Sequence, residues 1–438
     1  MIPLPPRLYY PRCKVLLSCL LEGNPVPATF SAIPISVEVE RNSARKADTA
    51  RIELDYRDFP IDPRGISSIH VSIHMENSRT ANAPMAPTPL NKRFIGLVDE
   101  PRTTLSEATN TVRMECRDYT GIWLDYRWPT QLKVGAISGP SLPTPQGTTL
   151  QLAVEYMRGI VTPLTKPAIF TDPTAKDVDI WLRTGKEAFA SDEDENAWDV
   201  LSALCDLFGL VPVWNLDQLE IRSPTEPKAT QAFMVYGRNV ERLEFRRNLK
   251  RNKGKQVKIV GWNPFLGVAT EAVWPTEALI AADGQHTKLS EGGKPKTRIE
   301  QVQYNVEGPY TYPDLLLIAK SVHAELSQNE LQGTLETRDM TDMAETGLLG
   351  LQNGDVLFVD LGPEDHAAIS AMSPAEAIAH LSNPTRANSI DPTVAAALVQ
   401  SWQTAQRSSQ FYVLEAAHRW DRGDGYRLQV KFRDFILG

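Results

Sequence analysis

The sequence predicts a mainly β fold with α/β parts, because apolar and polar residues alternate at both ends of the chain and apolar residues follow a helical spacing in its middle. Near the N-terminus the alternation covers four stretches: Ile33–Glu40, Ala50–Tyr56, Ile69–Met75 and Val112–Cys116. A period of two is typical of strands with one buried face, and several such strands in succession predict a barrel or a sandwich.

The most regular alternation lies close to the C-terminus. The apolar positions are Tyr426, Leu428, Val430 and Phe432, and the polar positions are Arg427, Gln429, Lys431 and Arg433. Asp424-Gly425 precedes this strand and predicts the turn of a hairpin. Because assembled rings generally bury polar rims beside a smaller apolar centre, we expect this long polar face to make contacts between subunits.

The middle of the chain predicts two helices and a hairpin. Thr148 is positioned to cap a helix that runs to about Arg158. A second helix follows the acidic run Asp192–Glu195 and ends at Gly209, a residue type favoured just after a helix. Asn215-Leu216-Asp217 then predicts the turn of a short hairpin.

Strands return in the last part of the chain, interrupted by helices. The predicted strands are Gln256–Trp262, Asp355–Asp360, Gln410–His418 and Tyr426–Phe435. Pro313 predicts the start of a helix over residues 313–328, since proline is favoured in a first helical turn. Ser373-Pro374 and Asp391-Pro392 are two more helix starts, and they predict a helical insert at about residues 363–407.

Composition limits the classes of function. The length of 438 residues suggests two to four domains, and an apolar share of 42% is typical of soluble globular proteins. A formal net charge of -8 gives no general attraction for phosphates, so no specific nucleic-acid partner is expected. The apolar run Val15–Leu21 is far shorter than the roughly 20 residues that span a bilayer, so no membrane anchor is expected. Pro3, Pro5 and Pro6 argue against a signal peptide, so we expect the protein to stay in the cytoplasm until it is assembled.

The most basic segment, Arg242–Lys258, leaves three interpretations open. It could contact an acidic protein neighbour, form a solvated turn around Asn252–Gly254, or contact nucleic acid. Few aromatic residues interleave with the basic ones before Trp262, so base stacking is poorly supported. The solvated turn is the simplest of the three.

The cysteines and the acidic run predict no metal or redox site. Cys13, Cys19, Cys116 and Cys205 sit in apolar stretches without metal-ligand spacing, so we expect buried thiols. Asp192–Glu195 lacks the spacing of a calcium loop. Acidic residues ahead of a helix stabilise its N-terminus, which explains the run without a ligand.

The histidines predict no catalytic or cofactor site. His70 and His74 would lie on the polar face of a strand, about 13 Å apart along it, without an acidic or thiol partner. His418, with Asp421 and Asp424, fits a polar hairpin turn better than a catalytic group. We therefore assign no catalytic, cofactor-binding or metal-ligating residue.

Four stretches together resemble the late control gene D family of phage tail hub proteins, which is related to contractile-tail and secretion-system spike hubs. They are VEVERNSARKADTARIEL from Val37, FIGLVDE with VRMECRDYTGIWLD from Phe94, AWDVLSALCDLFGLVPVWNLDQLEIRSP from Ala197, and LQGTLETRDMTDMAETGLLGLQNGDVLFVDL with the later QFYVLEAAHRWDRGDGYRLQVKF. Their order and spacing carry the resemblance, since no single motif is diagnostic.

The resemblance implies two tail-tube-like β-barrel domains with smaller α/β domains between or beside them. On this chain the first barrel would take residues 1–123, a mixed α/β domain residues 124–236, and the second barrel residues 237–438. Three chains would then present six barrels, matching a six-fold tube on one side and a three-fold spike on the other. The insert at 363–407 is longer than the family pattern, and we expect it outside the ring because surface loops tolerate insertions.

The resemblance thus implies a structural baseplate hub of a tailed bacteriophage, not an enzyme, assembled in the host cytoplasm and located in the virion. The expected partners are further copies in a homotrimer, a tail tube or tube-initiator protein, the central spike, the tape-measure protein and, through 363–407, peripheral baseplate proteins. Two alternatives stay open. One is a peptidoglycan-degrading tail-tip enzyme with paired carboxylates, and the other is a carbohydrate-binding tail module, suggested by nine tryptophans.

Overall fold

The computed structural model describes residues 10–24, 26–42, 46–59, 63–78, 85–106, 110–128, 132–133, 149–173, 175–177, 180, 188–189, 195–223, 231–235, 240–247, 255–263, 267–276, 288–291, 294–297, 300–307, 310–327, 331–337, 350–360, 373–383, 392–393, 395–396, 399 and 410–434. The predicted cap Thr148, the acidic residues 192–194, the turn Asn252–Gly254 and most of the helical insert lie outside these residues.

Strands dominate the described residues, which confirms the mainly β prediction. The strands up to the middle of the chain are β1 (Tyr10–Leu21), β2 (Ala28–Ala32), β3 (Ser36–Arg41), β4 (Thr49–Asp55), β5 (Ile66–Ser78), β6 (Lys92–Leu105), β7 (Asn110–Arg117), β8 (Leu132–Lys133), β9 (Lys166–Phe170), β10 (Ala188–Phe189), β11 (Val211–Asn215) and β12 (Gln218–Arg222). The later strands are β13 (Gln231–Val235), β14 (Arg242–Arg247), β15 (Lys255–Asn263), β16 (Val268–Trp274), β17 (Lys288–Glu291), β18 (Lys294–Thr297), β19 (Glu300–Glu307), β20 (Leu331–Thr337), β21 (Val356–Asp360), β22 (Gln410–Asp421) and β23 (Gly425–Asp434). The described α-helices are α1 (Tyr119–Asp125), α2 (Leu150–Val161), α3 (Ala197–Asp206), α4 (Tyr312–Ser327) and α5 (Pro374–Leu381).

One large sheet contains strands from both ends of the chain. Its order is β14-β20-β23-β22-β3-β4-β7-β6-β5-β1-β2, and β21 branches from β22 and carries β13. The two ends meet where β22 pairs antiparallel with β3, placing Trp420 opposite Val37. Both strand sets share one hydrophobic core. Among the described strands, β14 and β2 each have one neighbour, so they are the edge strands of this order and no closed barrel is seen. The division into two barrels therefore stays a prediction.

The alternation predicted from the sequence builds this core. Val37, Ile52, Val71 and Met114, from four of the predicted strands, are almost completely buried, and burying a side chain of this size contributes about 1.5–3 kcal/mol. β1 is a strand that none of the predicted strands covers, although its alternate residues are buried: Cys13, Val15, Leu17 and Cys19. The prediction of buried thiols is confirmed for all four cysteines.

A second core lies in the middle of the chain, where α1, α2 and α3 pack with the sheet β11-β12-β9. The predicted helix stop is confirmed, since Gly209 has a φ of 65° and the Leu210 N–H donates to the Cys205 carbonyl at 3.0 Å. The predicted hairpin is β11–β12, with Leu216 at a φ of 57° in its turn. The cap of α2 is Thr149, not Thr148, because the Thr149 side chain accepts from the Leu152 N–H at 3.3 Å.

The strand predicted at Gln256–Trp262 belongs to a third core and not to the core of the large sheet. This strand is β15, which pairs antiparallel with β16 and parallel with β19. Leu315 and Ala319 of α4 pack with Val257 and Ile259 of β15. Because α4 supplies the apolar cover for this face, β15 does not contribute to the core of the large sheet. The chain between the strands expected for the second barrel therefore includes an α/β unit, and the domain boundaries stay a prediction.

Candidate functional site

The polar face of the large sheet, where β22 meets β3, is the candidate assembly surface. A groove of about 540 Å³ crosses it, and we call it the seam groove. Its charged lining residues are Glu38, Arg51, Glu53, Arg113, Glu115, Arg419, Asp421, Asp424 and Arg427. They point outwards because the alternate residues of the same strands are apolar and face the core.

A row of charged residues crosses the seam perpendicular to the strands. Arg427, Arg419, Glu38, Arg51 and Glu115 are cross-strand neighbours on β23, β22, β3, β4 and β7. The Arg419 Nε donates to Glu38 Oε1 at 2.5 Å, and an Arg51 nitrogen lies 3.9 Å from Glu38 Oε2. Only 20% of the Glu38 side chain is exposed, against 68% for Arg51 and 57% for Arg419. The carboxylate therefore lies beneath the guanidinium groups, which form the outer layer of the groove.

We expect the pair Glu38–Arg419 to couple the two ends of the chain modestly. In a double-mutant cycle with Glu38→Gln and Arg419→Gln, the coupling energy should be about 0.5–1 kcal/mol, because cross-strand pairs of opposite charge on partly exposed positions contribute this much. Urea unfolding of the four proteins measures it. The coupling should shrink in 1 M salt, where screening is strong. If the effects of the two single substitutions on the free energy of unfolding add within error at low salt, the pair is not coupled and this assignment is wrong.

The polar face of β23, which the sequence predicts for subunit contacts, is partly occupied by contacts within the chain. Gln429 donates to Glu336 Oε1 at 3.2 Å, and Lys431 forms an ion pair with Glu415 at 2.5 Å. Arg433 is buried, with its guanidinium carbon 4.4 Å from the centre of the Tyr412 ring. The expectation that Arg433 is a surface residue was wrong, because β23 is an inner strand and Tyr412 of β22 covers this position.

His418 belongs to the buried side of the seam. Its Nε2 donates to the Leu351 carbonyl at 2.8 Å, and its Nδ1 therefore accepts from the Tyr426 hydroxyl at 2.5 Å. Burial lowers the pKa of His418 to about 3; the hydrogen bond to Leu351 opposes this shift, and the charges of Arg41 and Arg93 add to it. His418 is thus a neutral core residue.

The two aspartates near His418 form a turn, as predicted. Asp421 Oδ1 accepts from the backbone N–H groups of Gly423 at 2.7 Å and Asp424 at 3.1 Å. Asp424 in turn accepts from Arg427 at 3.2 Å. The interpretation of this segment as a polar hairpin turn is confirmed, and its carboxylates are not directed at His418.

Stability should fall on acidification because of His418. Its pKa is lowered in the folded chain, so the unfolded chain binds the extra proton first and stability decreases as the pH falls below about 6.5, towards about 3. In His418→Gln the free energy of unfolding should decrease less between pH 6.5 and pH 4, by up to about 1.4 kcal/mol per pH unit. Urea unfolding at a series of pH values measures the slope. An equal slope in both proteins would show that His418 does not titrate on unfolding.

A second buried network lies in the polar turn of the VEVERNSARKADTARIEL stretch. Asp48 accepts from Arg41 at 2.7 Å and from the Asn42 N–H at 2.7 Å, and Arg41 also donates to the Arg93 carbonyl of β6. The Asp118 N–H donates to the Asp48 carbonyl, and the Asp118 side chain caps α1. Burial, followed by the charge of Asp48, raises the pKa of Asp118 well above its usual value. The turn thus joins β3, β6 and the start of the middle unit.

Arg222 connects the middle unit to the branch point of the large sheet. It ends β12, is 2% exposed, and donates to the backbone carbonyl of Asn353 at 3.1 Å and to its side-chain oxygen. The Asn353 amide donates to the Leu414 carbonyl at 2.7 Å, at the bulge where β22 leaves β21 and continues beside β3. No sequence pattern predicted this junction. The only local signals were the turn dipeptide Asn353-Gly354 and an arginine at the end of a predicted strand.

His70 and His74, weighed above as a metal pair, do not form one in the structure. His70 is exposed, but His74 is buried and contacts Asn91 Oδ1 at 2.9 Å and Ser72 Oγ at 3.2 Å. The expected surface position of His74 was therefore wrong, since the segment before β6 covers it. In the described part of the chain, no group of three His, Cys, Asp or Glu residues could hold a metal ion.

Two further sequence expectations concern charge and membranes. Of the basic segment, Arg242 pairs with Glu244 at 3.4 Å and Lys258 pairs with Glu271. The residues from Lys250 to Gly254 lie outside the described residues. None of the helices described is long and apolar enough to cross a bilayer.

Comparison with known proteins shows similarity at the level of fold. No protein-family model and no curated protein matches the chain. The crystal structure of the tail protein from Neisseria meningitidis MC58 is similar with a TM-score of 0.53 and 13% identity, over 96% of each chain. The 43 kDa tail protein of prophage MuSo2 from Shewanella oneidensis is similar with a TM-score of 0.51 and 13% identity, over 96% of this chain and 98% of that one. The chain therefore shares the fold of these two tail proteins.

Proposed function

We propose that this protein is a structural baseplate hub of a tailed bacteriophage that connects the six-fold tail tube to the three-fold central spike. The observation that carries the proposal is the tail-protein fold, which extends over 96% of the chain. The pairing of β22 with β3 supports it, because it joins the two ends of the chain into one continuous sheet with an exposed polar face.

The hub would be a homotrimer in which each chain contributes two similar barrels to a ring with pseudo-six-fold symmetry. Closed rings are the usual result of head-to-tail interfaces, since an interface that does not close forms a filament. One side of the ring would bind the tail tube or a tube-initiator protein and the tape-measure protein, and the other would bind the spike. The insert at 363–407 would contact peripheral baseplate proteins. The protein would be assembled in the host cytoplasm and located in the virion.

Charge reversal on the exposed part of the β23 face should weaken assembly. In the double variant Arg427→Glu and Lys431→Glu, we expect at least tenfold weaker trimer formation in the presence of the spike, because two contacts at a polar interface become repulsive. Arg433 is left unchanged since it is buried. Sedimentation velocity over a concentration series measures the effect. Lys166→Glu, in the middle unit, is the control and should assemble normally. Unchanged assembly of the double variant at low concentration would show that β23 does not lie in the interface.

A reconstruction of the phage tail tip tests the hub role directly. The expected result is three copies of this chain around the axis, between tube and spike. Six copies, or tails that lack the chain, would overturn the proposal.

A further inference from the structure

The sheet β16-β15-β19 has a helix on one side only. Helix α4 covers the face that carries Val257 and Ile259. The opposite face has no apolar cover among the described residues, and we call it the amide face. It is defined by Gln256, Lys258, Val260 and Trp262 of β15 and by Gln301, Gln303 and Asn305 of β19.

The register of the strands places these side chains on one surface. In the parallel pairing of β15 with β19, Gln256 lies beside Gln301 and Lys258 beside Gln303. The side chains contact one another as this register requires. Gln301 Nε2 donates to Gln256 Oε1 at 3.0 Å, and Gln303 Nε2 donates to Asn305 Oδ1 at 3.0 Å. The amide groups are therefore oriented by their neighbours and do not rotate independently.

The amide face keeps hydrogen-bonding capacity directed at solvent. Gln256 is buried and its Nε2 donates to the Pro275 carbonyl at 3.0 Å, which anchors the row. Gln301, Gln303 and Asn305 are exposed. Within the described residues, the side-chain oxygens of Gln301 and Gln303 and the Asn305 Nδ2 have no protein partner, so they form a set of fixed acceptors and donors.

Charge and aromatic surface indicate which ligand such a face would accept. Lys258 pairs with Glu271 of β16, so the face carries little net charge. Trp262 is 50% exposed at the end of β15, and from Gln256 to Trp262 the strand spans about 20 Å. A neutral ligand with many hydroxyl groups meets these conditions, since its hydroxyls pair with amides and its C–H surfaces pack on an indole ring.

We propose that the amide face is a binding site for a neutral carbohydrate chain several sugar units long. Amides oriented in advance reduce the ordering cost of binding. The half-exposed indole supplies the large apolar contact that dominates small interfaces. The proposal concerns only this α/β unit, so it stands or falls separately from the hub role.

Titration calorimetry on the full chain tests the proposal with two neutral probes, chitohexaose and maltohexaose. We expect at least one to bind. Trp262→Ala and Gln303→Ala should each weaken that binding at least tenfold, and Trp262→Tyr should keep most of it because an aromatic ring remains. The matched control is Tyr304→Ala. Tyr304 is 40% exposed on β19, the strand that also carries Gln303, but it pairs with Ile259 and its side chain lies on the side of α4.

The outcomes separate a sugar site from general adhesion. Binding that is lost in Trp262→Ala and kept in Tyr304→Ala supports the proposal. Failure of both probes to bind overturns it, as does an equal loss in Tyr304→Ala. Heparin is the charged counter-probe: tighter binding of heparin that disappears in Lys258→Gln would also overturn it, because the face would then recognise negative charge.

Discussion

Arg222→Ala should lower the free energy of unfolding by about 3 kcal/mol. The substitution removes two hydrogen bonds to Asn353 and leaves both acceptor oxygens buried without a donor. An unsatisfied buried polar group costs about 1–3 kcal/mol, and the lost side chain also leaves a cavity. Urea unfolding followed by tryptophan fluorescence measures the change.

Two variants make this prediction specific. Arg222→Lys should lose part of the stability, because a single ammonium group does not reproduce the planar fork that reaches both oxygens of Asn353. Arg427→Ala removes an exposed arginine that pairs with Asp424 and should cost about 0.5 kcal/mol or less. A similar small cost for Arg222→Ala would show that the junction does not hold the two units together.

Gly96→Ala should be nearly as damaging, with a loss of about 3 kcal/mol. A methyl group on Gly96 would lie 2.1 Å from the Arg117 carbonyl oxygen and 2.9 Å from the Phe94 ring. Both are held in place, because Arg117 belongs to the neighbouring strand β7 and Phe94 is completely buried. The strands must therefore separate, and insertion of a carbon atom into a well-packed core costs about 1–3 kcal/mol or more.

Gly159→Ala is the matched control for this substitution. A methyl group at Gly159 meets nothing within 4 Å, and the residue lies exposed in α2. Alanine is favoured over glycine inside a helix by about 0.8–1 kcal/mol, so this variant should be slightly more stable than the parent chain. Thermal and urea unfolding of both variants measure the contrast. A tolerated Gly96→Ala would mean that β6 and β7 are less closely paired than in this structure.

Local chemistry determined the elements that the sequence analysis identified. The alternation that buries Val37, Ile52 and Met114 requires only that a strand has one face in a core. The left-handed backbone at Gly209 and the helix start near Pro313 follow from the conformational preferences of single residues. The burial of the cysteines follows from the apolar runs around them.

The strand β1 could not be identified from its local sequence alone. Its buried positions include Cys13 and Cys19, and its exposed-side positions include Leu16 and Leu20, so both parities contain apolar residues. The sequence shows an apolar run there, and the period of two is visible only once one face is known to be covered. His74 and Arg433 were misplaced for the related reason that a polar residue on a strand becomes buried when another segment packs over it.

The sequence by itself determined that this chain is a β-rich protein with helical segments in its middle, because those features depend on neighbouring residues. Only the tertiary structure decided which strands pair. The same alternation in β22 would fit any partner, and its pairing with β3, about 380 positions away, depends on the path of the whole backbone. The Arg222–Asn353 junction and the amide face arose in the same way, since each brings together residues from segments that share no local signal.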